Sequence, residues 1–229
     1  MVRNGSQVTQ AEGRLEYEWD DVCDGWTVRQ RTLLTMVHRS GQSFQSNWAI
    51  NSWESKDGLS YRFFIRRLLA GGETLETRGS AKLEAEGGAG AASFTLPEER
   101  QIELPRGTIF PTQHSLEVIK AVESGEVPLW RVVFDGSGDE GLYGINVALA
   151  RSLPPDLKAS IDTPLVRGLP SWRVGVAYFG MESDAAEPEF EQEMRLFANG
   201  VVDNLLLDYG DFTLDAALAD LEELPAPDC

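Results

Sequence analysis

The chain has 229 residues, a hydrophobic share of 42% and a formal net charge of −17, with a pI near 4.5. That balance opposes nucleic acid and anionic lipid surfaces, both of which attract clustered Lys and Arg. No run of about eighteen apolar residues occurs, so nothing reads as a transmembrane helix, and the polar opening Met1-Val2-Arg3-Asn4-Gly5-Ser6 does not read as a signal peptide.

Gly13 to Trp19 alternates Leu15, Tyr17 and Trp19 with Arg14, Glu16 and Glu18, the period of a half-buried strand. Asp24-Gly25 is a hairpin signal of the kind that favours φ > 0 at two central residues. Taken literally, it sets Glu18 opposite Arg31, Asp20 opposite Arg29 and Leu15 opposite Leu34. Gln42 to Glu54 carries Phe44, Trp48 and Ile50 on one parity and Trp53 on the other. Gly58 to Leu69 carries Leu59, Tyr61, Phe63 and Ile65 between arginines. Glu73 to Glu86 and Ser93 to Leu104 read as further strands, with Asp57-Gly58, Gly71-Gly72 and Gly87-Gly88-Ala89-Gly90 as punctuation. Long alternating strands with short turns predict an all-β, mainly antiparallel fold.

One segment changes period. Leu116, Ile119 and Val122 follow Pro111-Thr112-Gln113-His114-Ser115 and precede Gly125, which predicts a helix with a glycine stop. Strands resume at Leu129 to Phe134, Leu142 to Ala150 and Ser171 to Met181, with a Pro-rich loop from Ser152 to Pro170 and an acidic loop from Glu182 to Glu187. Phe190, Met194 and Leu196 alternate with Glu191, Glu193 and Arg195 before Asn199-Gly200, the strongest two-residue hairpin signal. That turn sets Arg195 opposite Asn204 and Met194 opposite Leu205. Leu218, Leu221 and Leu224 fit a short helix or a last strand equally.

Chemical signatures are sparse. Asp135, Ser137 and Asp139 alternate as calcium ligands would, but Glu140 and Asn146 stand where an EF-hand needs Gly and Glu, so a glycine-rich turn is the better reading. With two histidines and two cysteines at none of the usual spacings, no metal site is expected, and no Gly-x-Ser-x-Gly elbow marks a nucleophile. His114 lies in the helix's first turn, where the dipole would depress its pKa; a packing role and an acid–base role both fit. All six tryptophans fall in predicted strands, where aromatics fill sheet interiors. The opposite parity of Trp48 and Trp53 points to a sheet covered on both faces or enclosing a cavity. Cys23 and Cys229 are either unrelated thiols or a bridge closing nearly the whole chain.

Six strings occur in order: Gly13-Arg14-Leu15-Glu16-Tyr17-Glu18-Trp19, Cys23-Asp24-Gly25-Trp26, Phe110-Pro111-Thr112-Gln113-His114, Val133-Phe134-Asp135-Gly136-Ser137, Leu207-Asp208-Tyr209-Gly210-Asp211-Phe212, and Leu224-Pro225 with Cys229. In content and spacing the chain resembles the EipB-type cell envelope integrity proteins of Gram-negative bacteria, long catalogued as a domain of unknown function. The resemblance implies one domain over 1–229: an open, spiralled β-barrel of long strands with one short helix at its mouth. It implies a periplasmic location and a disulfide between Cys23 and Cys229. It also implies a non-catalytic role in envelope integrity alongside envelope proteins such as a tetratricopeptide-repeat partner, with no cofactor. Relatives carry a signal peptide and a strand before the position of Arg14, and both are expected to be missing from this chain.

The function expected on these grounds is binding of a peptide, a protein partner or an acyl chain in a groove of the curved sheet, with Trp48, Trp53, Phe110 and His114 as candidate contacts. A lipoprotein or lipid carrier of the half-barrel type is the alternative, and a hydrolase using His114 a third.

Overall fold

The structure is a computed structural model and describes residues 7–69, 72–181, 186–210 and 212–229. Ala70, Gly71, most of the acidic loop (182–185), Asp211 and the six opening residues lie outside the described residues. Among those described are fourteen strands and one helix. Backbone contacts group them into two compact units. One takes in the chain up to Thr112 together with Val132–Leu142 and Pro225–Cys229, and the other takes in Gln113–Arg131 and Tyr143–Leu224.

The first unit is an antiparallel meander of β1 (Val8–Asp21), β2 (Gly25–His38), β3 (Ser43–Ser55), β4 (Ser60–Leu68), β5 (Thr74–Leu83), β6 (Gly90–Leu96) and β7 (Arg100–Leu104), ordered in space as in sequence. Sequence neighbours pair because each junction is only three to six residues long, which antiparallel hairpins allow. The expected strand over Ser93 to Leu104 is instead two, broken at Pro97, which has no N–H for a central ladder. The first hairpin also differs from its literal reading. Val22 N–H donates to Gly25 O and Asp24 N–H to Val22 O, so the turn is centred on Cys23, at φ 67°. The register is Glu18↔Arg29 and Leu15↔Thr32, two residues from expectation. A two-residue slip leaves every side chain on its expected face.

Alternation in β4 builds the core. Tyr61, Phe63 and Ile65 are buried while Arg62 and Arg66 are exposed. The buried residues meet Ala81, Ala92, Phe94, Leu104, Phe110 and Phe134. Tyr61 stacks on Phe110 at 5.2 Å, and Phe63 meets Phe94 and Phe134 edge-on at 5.5 and 5.7 Å. Burying each such side chain stabilises by about 1.5–3 kcal/mol. Gly79 makes room, since a Cβ there would lie 2.6 Å from Phe63 Cζ. The short β8 (Thr108–Ile109) pairs parallel with β9 (Leu129–Phe134), as a connection through a helix allows.

That helix, α1 (Pro111–Ser124), starts and stops where the sequence places it. Gly125 turns left-handed at φ 76° and Glu126 N–H reaches back to Ala121 O, a glycine C-cap. Its buried face is His114, Val118, Ala121 and Val122; Leu116, expected inside, is exposed. In the second unit, β10 (Leu142–Ser152), β11 (Ser171–Gly180), β12 (Phe190–Phe197), β13 (Val202–Asp208) and β14 (Thr213–Ala216) form another antiparallel meander. The Asn199-Gly200 turn is a three-residue loop: Phe197 N–H donates to Val201 O and, of the loop residues, Gly200 takes positive φ, at 85°. Arg195 therefore faces Asp203. A bulge with Asn204 at φ 52° then restores the expected register, Gln192↔Leu207. Residues 217–229 form neither helix nor strand, correcting both readings of Leu218, Leu221 and Leu224.

Candidate functional site

The inner face of the first unit carries one parity of each strand, and its residues line up in rows. One row is Tyr17, Gln30, Ile50, Ile65 and Thr77; the next is Leu15, Thr32, Trp48, Arg67 and Leu75. Ile65 is 2% exposed and belongs to the core. In the same two rows Leu15 is 40%, Tyr17 53% and Leu75 44% exposed. Beyond them lie Leu34, Met36 and Phe44, all half-buried. The face thus begins as packed core and runs out into a row whose two ends, Leu15 and Leu75, are uncovered, with half-buried Thr32, Trp48 and Arg67 between them.

Trp48 packs its ring against the core edge. Its Nε1 is shut off from solvent without an acceptor, as is Nε1 of Trp19 on the same face of β1. Arg67 stands over the Trp48 ring at 5.1 Å. Trp53 points to the other face, as its parity predicts. There it covers Gly25, where a Cβ would sit 2.4 Å from the indole Nε1, and carries Arg62 at 4.1 Å. Phe110 is 0% exposed, a core residue stacked on Tyr61. His114 is 8% exposed with Nε2 unpartnered. Burial pushes its pKa down to about 4, Glu117 opposing and Arg131 assisting, so desolvation is the main cause rather than the helix dipole. Of the four candidates, Trp48 reaches the uncovered face, Trp53 lies on the opposite one and Phe110 is sealed. The tryptophans as a set are less buried than expected: none is among the fully buried residues, and Trp130 lies 49% exposed, flat on Gly144.

Sequence reasoning missed Arg67, Leu15, Tyr17 and Leu75. The signal was present for Arg67, which shares its parity with Tyr61, Phe63 and Ile65 and so is an arginine at an apolar position.

Cys23 and Cys229 are joined as a disulfide, with Cα atoms 6.0 Å apart. The helix start is held by Glu54, buried at 2%, whose Oε2 accepts the Thr112 N–H at 2.7 Å; a carboxylate suits the positive end of the helix. The Asp135 turn closes on itself: Asp135 N–H donates to Gly141 O, Ser137 N–H to Asp135 Oδ1 at 2.7 Å, and Tyr61 Oη to Asp135 O at 3.3 Å. Among the described residues no three His, Cys, Asp or Glu side chains gather as a metal set, and no helix is long and apolar enough to cross a membrane.

These features define a mainly antiparallel β protein with one helix, one long-range disulfide and a partly uncovered aromatic sheet face. The profile of the EipB-like family matches residues 1–225, and the chain belongs to that family. It is 30% identical over 226 residues to the cell envelope integrity protein EipB of Brucella abortus (strain 2308), covering 95% of this chain and 78% of that protein. The fold is shared with a crystal structure of a β-barrel-like protein of domain of unknown function DUF1849 from Brucella abortus. That match has a TM-score of 0.82 at 24% identity and covers 97% of this chain and 94% of the other.

Proposed function

We propose that this protein is a non-catalytic periplasmic factor that maintains cell envelope integrity by binding an apolar ligand on the inner face of β1–β5. The carrying observation is the continuation of the core into the uncovered row of Leu15, Trp48 and Leu75. The ligand is a peptide, a segment of an envelope protein such as a tetratricopeptide-repeat partner, or an acyl chain. The role is supported by the name of the Brucella relative, and the location by that name and by the Cys23–Cys229 bridge, since such bridges persist in oxidising compartments. A family profile that runs unbroken from residue 1 to 225 supports reading 1–229 as one functional domain. Carriage of lipoproteins or lipids is the second reading, favoured by the apolar character of the same face. A hydrolytic role for His114 is disfavoured, because its ring is buried and its basicity is far below the useful range.

The test is complementation of a deletion strain of the host under detergent stress. Wild type restores growth, and the double variant Leu15→Asp/Leu75→Asp, exported and folded, does not. Full rescue by that variant would remove the inner face from the function.

A further inference from the structure

The uncovered row holds two polar groups that a face meeting only water or only hydrocarbon would not need. Arg67 is half-buried at an apolar parity position of β4. Among the described residues it forms no ion pair, and the contact described for it is the Trp48 ring. Its charge is felt by Asp135, but burial pushes the Asp135 carboxyl up toward the neutral form and Arg67 offsets this only in part. Beside it, Trp48 Nε1 is a buried donor without an acceptor. Buried indole N–H groups ordinarily find partners, and guanidinium forks suit carboxylate and phosphate oxygens. The two groups are adjacent across β3 and β4 and are flanked in the same row by the exposed leucines Leu15 and Leu75.

We infer that this row binds a single anionic lipid. The head-group oxygens sit at Arg67, with Trp48 Nε1, shut off from solvent in this conformation, joining them once the indole turns outward. An acyl chain crosses β3 to β1 toward Leu15, a span of roughly 10 Å at the usual strand spacing. This deepens the reading above and rests on it. An acyl chain fits better than an extended peptide. A peptide brings an N–H and a C=O with every residue, and apart from this one donor pair the row offers Leu15, Leu75 and Thr32, so most of those groups would be desolvated unpaired. A net charge of −17 repels an anionic bilayer, so the occupant is a lipid monomer rather than a membrane surface.

The experiment is calorimetric titration of the full chain, disulfide intact, with palmitoyl lysophosphatidylglycerol and, separately, palmitoyl lysophosphatidylcholine, both below their micellar concentrations. Expected is one-to-one binding of the anionic lipid, at least tenfold tighter than the zwitterionic one. Arg67→Gln abolishes that preference and weakens lysophosphatidylcholine far less, since the choline charge offsets its phosphate, while Leu15→Ser, in the path of the acyl chain, weakens both lipids alike. Arg67 donates no hydrogen bond within the described residues, so Arg67→Gln loses only the Trp48 ring contact and the pull on Asp135, and a small shift of the urea midpoint, with the fold retained, keeps the comparison clean. Equal affinity for the two lipids, insensitive to Arg67→Gln, overturns the head-group assignment but leaves the apolar face as a binding surface. Binding of an extended apolar peptide with no lipid binding overturns the lipid and keeps the face. Binding of neither overturns both.

Discussion

Arg195 and Asp203, both buried, stand opposite each other on β12 and β13 yet direct most of their hydrogen bonds to the backbone of two irregular segments. Arg195 donates through Nη1 and Nη2 to Lys158 O and Leu157 O, both at 2.9 Å, and through Nε to Ser171 Oγ. Asp203 accepts from Ser160 N–H at 3.0 Å, Leu218 N–H at 3.2 Å and its neighbour Asn204. The pair thus ties the 153–170 loop and the segment after β14 to the second sheet. Removing Asp203 leaves the Ser160 and Leu218 N–H groups without their acceptor, so Asp203→Ala should cost about 2–4 kcal/mol at roughly 1–3 kcal/mol per unpaired group, read from urea unfolding. A loss under about 1 kcal/mol would show that the loops do not depend on the pair.

His114 gives an acid-side prediction. Its folded pKa, about 4, lies below the free value near 6.5, so the neutral ring is the one that folds. The stabilisation is complete above about pH 6.5 and is lost as pH falls toward 4, by ~3 kcal/mol at most. In His114→Phe the unfolding free energy should vary less over that window than in wild type. Parallel pH profiles for the two proteins would refute it.

Asp135 acts in the opposite sense. Burial raises its pKa, with the Ser137 hydrogen bonds and Arg67 pulling the other way. A raised carboxyl favours the folded state at low pH and loses that advantage as pH rises through the folded value. Asp135→Asn should therefore gain stability relative to wild type as pH rises above the free carboxyl value of about 4. The check is the difference in urea midpoint across that range, and a constant difference contradicts it.

The bridge supplies a third kind of dependence. With Cys23 and Cys229 separated by 206 positions in sequence, the loop-closure entropy removed from the unfolded chain corresponds to roughly 5 kcal/mol. Cys23→Ser should lower the urea midpoint accordingly, and dithiothreitol should do the same to wild type while leaving the variant unaffected.

Much of the fold is legible in residue patterns because alternation is a property of faces, not of register. Leu15, Tyr17 and Trp19 point inward whether Leu15 meets Leu34 or Thr32. The turns were misread because local signals do not count what the side chains must satisfy. Cys23 takes the positive φ beside Asp24-Gly25, and its amide is fixed by Asp21 Oδ1 at 3.0 Å. Asn199 uses its side chain on Leu165 O at 2.8 Å instead of adopting a left-handed backbone. The site was less legible. Periodicity marks Trp48 as inward but cannot say where burial ends across a sheet, and Leu15, on the outermost strand β1, and Leu75, at the start of β5, remain uncovered.

The bond between Cys23 and Cys229 also makes the molecule a ring from β2 through β14, with β1 as the strand outside it. A protease that nicks the Pro-rich 153–170 loop would release nothing, since both halves stay joined through the sulfurs. On a non-reducing gel the nicked protein would run as one band, resolving into two only after reductant. Such a ring tolerates damage that would dismantle an open chain.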